Sequence, residues 1–201
     1  MNLNTGSHLL IFLTVFTLFL GGCKSLKNKA QYAPCEFRIS GIDRLAIGGV
    51  DMLNKRTFND FTTNEGLRLV YQVKQQKLIT NLGVEIQVRN PNSEPAKLKG
   101  VHYVLVIDGK EIINSEVSST VNISPNGTSS FTIDSRFDLF KAAKDAGYDT
   151  LLKLALGLTQ GSNQAVNFDL YFRPKIYIND KKVKYKDFIK LSSKFQNGKV
   201  K

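Results

Sequence analysis

The sequence predicts a mainly β fold, an antiparallel β-sandwich with inserted α-helices. Three observations lead to this fold class. Several segments alternate apolar and polar residues with a period of two, turn residues separate them, and only a few segments show helical spacing. The chain has 201 residues, of which 42% are hydrophobic, values typical of a folded protein with one domain or at most two small ones.

An uncharged apolar run covers Leu9–Leu20 and leads into Leu20-Gly21-Gly22-Cys23. The run is shorter than the roughly 20 residues of a bilayer-spanning helix, and it fits the apolar core of a secretory signal. The four residues resemble the lipobox of bacterial lipoproteins. This resemblance implies cleavage between Gly22 and Cys23 and transfer of a diacylglycerol to the Cys23 thiol. One departure is that Met1–His8 contains no Lys or Arg, so the usual positive n-region is missing. The alternatives are an uncleaved anchor helix and an ordinary cleaved signal.

In this interpretation residues 1–22 are the signal peptide, and residues 23–34 are a polar, basic tether between the membrane and the domain. Each buried CH₂ of an acyl chain contributes about 0.8 kcal/mol, so several chains hold a protein stably on a membrane. Lys24 follows Cys23, whereas an Asp at this place retains enterobacterial lipoproteins in the inner membrane. The resemblance therefore implies the outer membrane, and because residues 24–33 lack an acidic cluster of the kind linked to surface export in some Bacteroidetes-like lipoproteins, it favours the periplasmic side. Cys35 is then the only free thiol, and we expect it to be buried.

Two segments are predicted to be helical. The first runs from Asn64 to about Gln76 with Thr63 as its N-cap, and four apolar residues share one side: Leu67, Val70, Tyr71 and Val73. The second follows Asp138, which can cap it, and its inward-facing residues are Leu139, Phe140 and Ala143. After Gly147, the Leu-rich stretch Leu151–Leu158 is also predicted to be helical.

The strands are predicted from alternation, which is clearest in four segments: Val84–Arg89, Val101–Ile107, Phe131–Asp134 and Val166–Arg173. Asp108-Gly109 and Pro125-Asn126-Gly127 separate strands and are typical of tight hairpin turns. Asn90-Pro91-Asn92 ends the first strand. Pro91 fixes its own φ and the Asn side chains can cap backbone groups, so we interpret Asn90, Pro91 and Asn92 as structural rather than as a binding site.

The order of these features is more specific than any one of them. An alternating strand that ends in Asn90-Pro91-Asn92, a strand that ends in Asp108-Gly109 and a Pro/Gly turn resemble the late-embryogenesis-abundant type 2 family, also called the water-stress and hypersensitive-response (WHy) domain. The resemblance covers about Phe37–Leu191. It implies an immunoglobulin-like or fibronectin-III-like sandwich of roughly seven strands. We place the domain at residues 35–191 and a basic tail at residues 192–201. The added helix in Asn54–Gln76 departs from the plant-type pattern.

The net charge of +11 is concentrated at the carboxyl end, because residues 173–201 contain ten basic and two acidic residues. Lys182, Lys184 and Lys186 alternate with apolar or aromatic residues, so a strand would present three ammonium groups on one face. One interpretation is a solvated edge strand, where Lys prevents unwanted pairing. The other is contact with anionic lipid head groups, to which each Lys contributes about 1 kcal/mol. The export signal argues against nucleic acid as a partner.

No catalytic or metal-binding constellation is recognisable. His102 is the only His after the signal, and we expect it to be structural, since Ser-His-Asp and multi-His metal sites then lack their parts. The carboxylates are dispersed and form no acid/base pair. We therefore expect no enzyme activity, no metal and no cofactor.

The sequence thus predicts a lipid-anchored envelope protein with a non-catalytic binding or stress-protection role. The family resemblance implies an association with desiccation and stress tolerance without a known catalytic centre. The alternative is a carrier of lipids or other apolar ligands between envelope membranes, which would need an apolar cavity of several hundred Å³. The sequence identifies neither a ligand, nor a protein partner, nor an oligomeric state.

Overall fold

Two antiparallel sheets form the β-sandwich that the sequence predicts. The computed structural model describes residues 32–55, 57–146, 166–196 and 199–200. In chain order the elements are β1 (Glu36–Ile47), β2 (Val50–Asp51), a 3₁₀ turn (Phe58–Asp60), α1 (Thr63–Lys74), β3 (Ile79–Arg89), β4 (Ala96–Ile107), β5 (Lys110–Val117), β6 (Val121–Ile123), β7 (Thr128–Asp138), α2 (Leu139–Ala146), β8 (Val166–Ile178), β9 (Lys181–Val183), β10 (Ile189–Gln196) and β11 (Lys199–Val200).

The first sheet has the strand order β2-β1-β3-β7, and the second has the order β11-β10-β8-β4-β5, with β6 beside β4 and β9 beside β8. Within the described ranges, seven strands have eight residues or more, which agrees with the seven that the family resemblance implies. The other four strands have two or three residues each and extend the sheets.

The core lies between the sheets and is filled by alternate side chains of the long strands. Val88, Leu105 and Phe172 are all 1% exposed or less. Phe37 of β1 meets Phe172 of β8 edge to face, with ring centroids 4.8 Å apart. The buried hydroxyls of Tyr103 (β4) and Ser135 (β7) share a hydrogen bond of 2.8 Å that joins the sheets. The predicted alternation is therefore confirmed as one buried side and one outer side per strand.

Tight turns with positive φ set the register of the second sheet. The predicted Asp108-Gly109 turn is confirmed, with φ of 45° and 81°, and it pairs Ile107 with Lys110. A second turn of this kind, Asn179-Asp180, joins β8 to β9 with φ of 47° and 57°. Asn and Asp tolerate this left-handed conformation better than most residues. This second turn was not among the turns predicted from the sequence.

Helix α1 differs from its prediction at its start. The N-cap is Thr62 rather than Thr63, because Thr62 and Glu65 form a capping box. The Glu65 amide donates to Thr62 Oγ1 at 3.3 Å, and the Thr62 amide donates to Glu65 Oε2 at 2.8 Å. The Gln72 amide donates to the Gly48 carbonyl at 2.9 Å and holds the helix on the β1–β2 turn. No helix in the described part of the chain is both long enough and apolar enough to cross a bilayer.

Helix α2 begins where the sequence predicts. Asp138 Oδ1 accepts hydrogen bonds from the backbone amides of Phe140 at 3.0 Å and Leu78 at 3.1 Å. Leu139 and Ala142 are buried. The Ala143 side chain and the Leu151–Leu158 segment lie outside the described residues.

The carboxyl-terminal boundary of the domain needs a correction. Residues 192–196, assigned to a basic tail from their composition, continue strand β10, and β11 pairs with its end. Strand β10 pairs with β8 along residues 189–195. Without it, this edge of β8 would expose unpaired backbone groups, so the strand extends well beyond Leu191.

Candidate functional site

A basic groove of about 480 Å³ lies on the outer face of the second sheet. Five cations and one carboxylate line it: Arg173, Lys175, Lys182, Lys184, Lys186 and Glu116. His102, Pro174, Val183 and Tyr185 complete the lining. The excess of positive charge makes an anion the kind of ligand that this surface can hold.

Strand register positions the floor of the basic groove. Phe172 and Pro174 point into the sandwich, so Arg173 and Lys175 point outward from β8. Arg173 pairs with His102 on β4, and His102 pairs with Glu116 on β5. These three side chains therefore form one row across three strands, at positions that rigid backbone pairing fixes.

Phe188 holds two side chains of this row in place. Its ring lies edge to face with the His102 imidazole, with centroids 5.1 Å apart, and the Arg173 guanidinium lies 4.5 Å from the Phe188 centroid. His102 Nε2 and Asn114 Oδ1 are 2.9 Å apart, within hydrogen-bond distance. The imidazole thus has a ring contact and a polar contact within the protein, which fits a structural histidine.

The lysines of the groove fall into two groups. Lys175 donates to Glu116, and this hydrogen bond holds the pKa of the Glu116 carboxyl below its usual range. Lys182, Lys184 and Lys186 make no ion pair within the described ranges, so their charge is free to meet an anion.

The strand predicted to carry these three lysines is shorter than expected. Lys182 lies on β9, which ends at Val183, and Lys184 and Lys186 follow in irregular backbone. All three nevertheless line one groove. Arg173 and Lys175 are members of the groove that were not predicted from the sequence, although the outward alternation of β8 from Tyr171 to Tyr177 indicates their side.

Hydrogen bonds hold the segment that enters the domain, at Ala33 and Cys35, beside the groove. The Ala33 amide donates to Asn92 Oδ1 at 2.9 Å, and Asn92 Nδ2 donates to the Ala33 carbonyl at 2.9 Å. The Cys35 amide donates to Tyr185 Oη at 3.0 Å. Because Tyr185 lies between Lys184 and Lys186 in the sequence, the start of the domain is next to the basic groove.

Asn90, Pro91 and Asn92 connect this incoming segment to two loops. Asn90 is 0% exposed. Its Nδ2 donates to the carbonyls of Glu94 at 2.8 Å and Ser124 at 3.2 Å, and its Oδ1 accepts from the Asn92 amide at 3.1 Å. All of these partners belong to the protein itself, so the motif holds backbone segments together.

The other sequence candidates contribute no chemistry here. Burial raises the pKa of the Cys35 thiol to about 11, which makes it a weak nucleophile at neutral pH. Burial also raises the pKa of Tyr185. Gly22 and Cys23, the predicted cleavage and acylation residues, lie outside the described residues. Among the residues that the structure describes, no three His, Cys, Asp or Glu side chains are grouped as metal ligands.

A second groove, of about 400 Å³, lies at the end of the sandwich near Asn90. Its lining combines polar side chains such as Asn122 and Asn179 with Tyr177 and Pro125. Both grooves open on the surface, and neither is an enclosed apolar cavity of the kind that a lipid carrier needs.

Residues 85–183 match the model of a family described as Late embryogenesis abundant protein. The match confirms the late-embryogenesis-abundant part of the resemblance for these residues, from within β3 to the end of β9, while the WHy assignment and the rest of Phe37–Leu191 stay predictions. The matched range contains Arg173 and Lys182 of the basic groove, but it excludes α1 and Lys184. No curated protein sequence matches the chain.

Similarity to solved structures is low. A crystal structure of a protein from Archaeoglobus fulgidus is 16% identical, with a TM-score of 0.37, over 59% of this chain and 85% of that one. A solution structure of an Arabidopsis thaliana protein is 15% identical, with a TM-score of 0.41, over 59% and 69%. The solution structure of a late embryogenesis abundant (LEA) protein is 11% identical, with a TM-score of 0.36, over 94% and 85%. Similarities of this size support neither a function nor a ligand.

Proposed function

We propose that this chain is an acylated outer-membrane protein, facing the periplasm, whose late-embryogenesis-abundant domain binds anionic lipid head groups through the basic groove. Its role is non-catalytic and protective under stress. The observation that carries the proposal is the position of the incoming chain, which enters the domain at Tyr185, between two lysines of the groove.

The lipobox-like Leu20-Gly21-Gly22-Cys23 supports the anchor. A chain spans at most about 3.5 Å per residue, so the nine steps from Cys23 to Tyr32 reach about 30 Å at most. An acyl group on Cys23 would therefore keep Tyr32 within about 30 Å of the membrane surface, and the groove contact of Cys35 with Tyr185 lies three residues further along the chain. That short distance favours the membrane as the anion that the groove meets.

The electrostatics of the groove agree with this ligand. Lys182, Lys184 and Lys186 have no ion-pair partner in the described residues, and each Lys near an anionic surface contributes about 1 kcal/mol. The Arg173 guanidinium, held over Phe188, is suited to bidentate hydrogen bonds with a phosphate. Phosphate-bearing head groups offer both the charge and the acceptor atoms.

Two observations support a non-catalytic role. The groove has one lining carboxylate, Glu116, and Lys175 already binds it. The match at residues 85–183 is to a family whose description, Late embryogenesis abundant protein, names no enzyme activity. The carrier alternative gains no support from the described residues, because their inter-sheet side chains, such as Leu98 and Ile133, are packed at 0% exposure.

The anchor is tested with Cys23→Ala. We expect the variant to incorporate no radiolabelled palmitate and to leave the membrane fraction, because Cys23 is the residue that receives the lipid. The wild-type chain is the control for both readouts. Membrane association of wild type without an acyl label would exclude the anchor.

The groove is tested separately with the mature chain that begins at position 23 and carries Cys23→Ala. Binding to vesicles of phosphatidylglycerol and phosphatidylcholine is compared for Lys182→Gln/Lys184→Gln/Lys186→Gln and for a control in which three lysines outside the groove are changed: Lys97→Gln/Lys110→Gln/Lys141→Gln. At about 1 kcal/mol per Lys, three lysines contribute about 3 kcal/mol, so we expect the groove variant to bind roughly 100-fold more weakly than the control. Equal losses in both variants would mean that net charge alone attracts the protein.

A further inference from the structure

Helix α1 turns its apolar side to water. Leu67, Val70 and Tyr71 are 63%, 66% and 64% exposed, and Val73 is 50% exposed. In the part of the chain that the structure describes, these four are the exposed large hydrophobic residues. The i, i+3, i+4 spacing of Leu67, Val70 and Tyr71 places them on one face of the helix. Their exposure is therefore a continuous strip rather than scattered single residues.

Polar contacts hold α1 in this orientation. Gln72 binds the Gly48 carbonyl at 2.9 Å, and Glu65 forms an ion pair of 2.8 Å with Lys55. Leu69 packs against the core from the same side of the helix. The helix is thus amphipathic with its polar contacts and a single Leu inward and its apolar strip outward, the reverse of an ordinary surface helix.

The charge around the strip is positive. Lys74 lies one turn beyond Val70 on the same face, and Lys77 follows the end of the helix. Glu65 is the one acidic residue of α1, and its carboxylate binds Lys55. An apolar strip with lysines at its end is typical of helices that lie in the interface of an anionic bilayer, where the Lys stem stays in the apolar layer and the ammonium meets phosphates.

We propose that α1 lies on an anionic bilayer, with Leu67, Val70 and Tyr71 inserted between the head groups and Lys74 bound to lipid phosphates. A second copy of the chain fits less well. Four exposed side chains offer a few hundred Å², below the about 800 Å² per partner of a stable dimer. The inference rests on the proposed membrane anchor but not on the basic groove.

The test uses tryptophan fluorescence, because the chain has no Trp. The acylated full chain with Leu67→Trp is reconstituted into vesicles of phosphatidylglycerol and brominated phosphatidylcholine, and Ser130→Trp, at an exposed position of β7, is the control. We expect the indole at position 67 to emit at shorter wavelength and to be quenched several-fold more by bromine than the indole at position 130. Adding Val70→Asp and Tyr71→Asp should abolish this difference without unfolding, since both side chains are exposed.

The possible failures are distinguishable. Chain that stays with the vesicles while aqueous iodide quenches positions 67 and 130 equally would overturn the role of α1 and leave the anchor intact. An indole at position 67 that is shielded from iodide without bromine quenching, increasingly so at higher protein concentration, would assign the strip to a second copy and also overturn the proposal. Chain that does not associate with vesicles at all would instead contradict the anchor.

Discussion

The two ends of the sandwich depart from the usual distribution of polarity in opposite ways. At the end where the chain enters, the amide of Asn90 is completely buried. At the other end, beyond the β1–β2 turn, Leu67 on α1 is 63% exposed. The buried amide has partners for its nitrogen and its oxygen within the protein. The exposed leucine belongs to a strip that the rest of the domain leaves uncovered.

This difference distinguishes residues that maintain the fold from residues that are available to contact another molecule. A buried polar group is tolerated when its hydrogen bonds are complete, and it then fixes the segments that it joins. An exposed apolar strip does not stabilise the folded domain. It contributes favourable free energy only when another surface covers it. Under the two proposals above, the entry end would set where the anchor meets the domain, and the apolar strip of α1 would contact the membrane.

The largest expected effect is a difference in how much substitutions at the two ends lower the free energy of unfolding. Asn90→Ala should lower the free energy of unfolding by about 1–3 kcal/mol, because it leaves the Glu94 and Ser124 carbonyls without their donor. Leu67→Ala should change it by no more than about 0.5 kcal/mol, as surface substitutions do. Urea unfolding of the mature chain measures both, and Asn122→Ala, at an exposed position, controls for the loss of an amide. A Leu67→Ala cost equal to that of Asn90→Ala would show that α1 packs on the domain.

A smaller effect is expected at the cap of α1. Thr62→Ala should destabilise the helix by about 1 kcal/mol, because the Glu65 amide loses its acceptor. Amide hydrogen exchange along residues 63–74 measures this locally. Thr63→Ala is the matched control and should change the exchange little, since Thr63 is inside the helix. A larger change in exchange for Thr63→Ala than for Thr62→Ala would identify Thr63 as the N-cap.

The smallest expected effect is a pH dependence of the stability of helix α1. The hydrogen bond from Lys55 lowers the pKa of the Glu65 carboxyl from its ordinary 4.5 to about 2. The folded state thus prefers ionised Glu65, so the stabilisation is complete above pH 4.5 and is lost as the pH falls toward about 2. Hydrogen exchange of α1 between pH 5 and pH 2 should show the loss, and Glu65→Gln should remove it. An unchanged pH profile in Glu65→Gln would mean that other carboxylates control the helix.

Periodicity predicted the sandwich because it records which side of a strand is buried, and Val84, Leu105 and Phe172 follow it. Periodicity also placed Leu67, Val70 and Tyr71 on one side of a helix. It could not tell that this side faces water, because direction depends on polar tertiary contacts such as Gln72 with Gly48.

The groove was predictable only in part. The run from Lys182 to Lys186 is visible in the sequence as a cluster of charge. The row of Arg173, His102 and Glu116 joins residues that are distant in sequence, and it arises from the register of three strands. Local pattern carries no information on that register. The extension of β10 was missed for a related reason, since pairing with β8 rather than composition determines it.

The paired contacts of Asn92 with Ala33 have a mechanical consequence. A load applied through the residues before Tyr32 reaches these two hydrogen bonds before it reaches β1, so the loop that Asn90 and Asn92 brace would bear part of it. If the load passes on, it pulls β1 lengthwise against its antiparallel neighbour β3, and the rungs between Glu36 and Ile47 share it in shear instead of opening one by one. If the domain is anchored through Cys23 as proposed, this arrangement would resist force applied to the domain through the anchor.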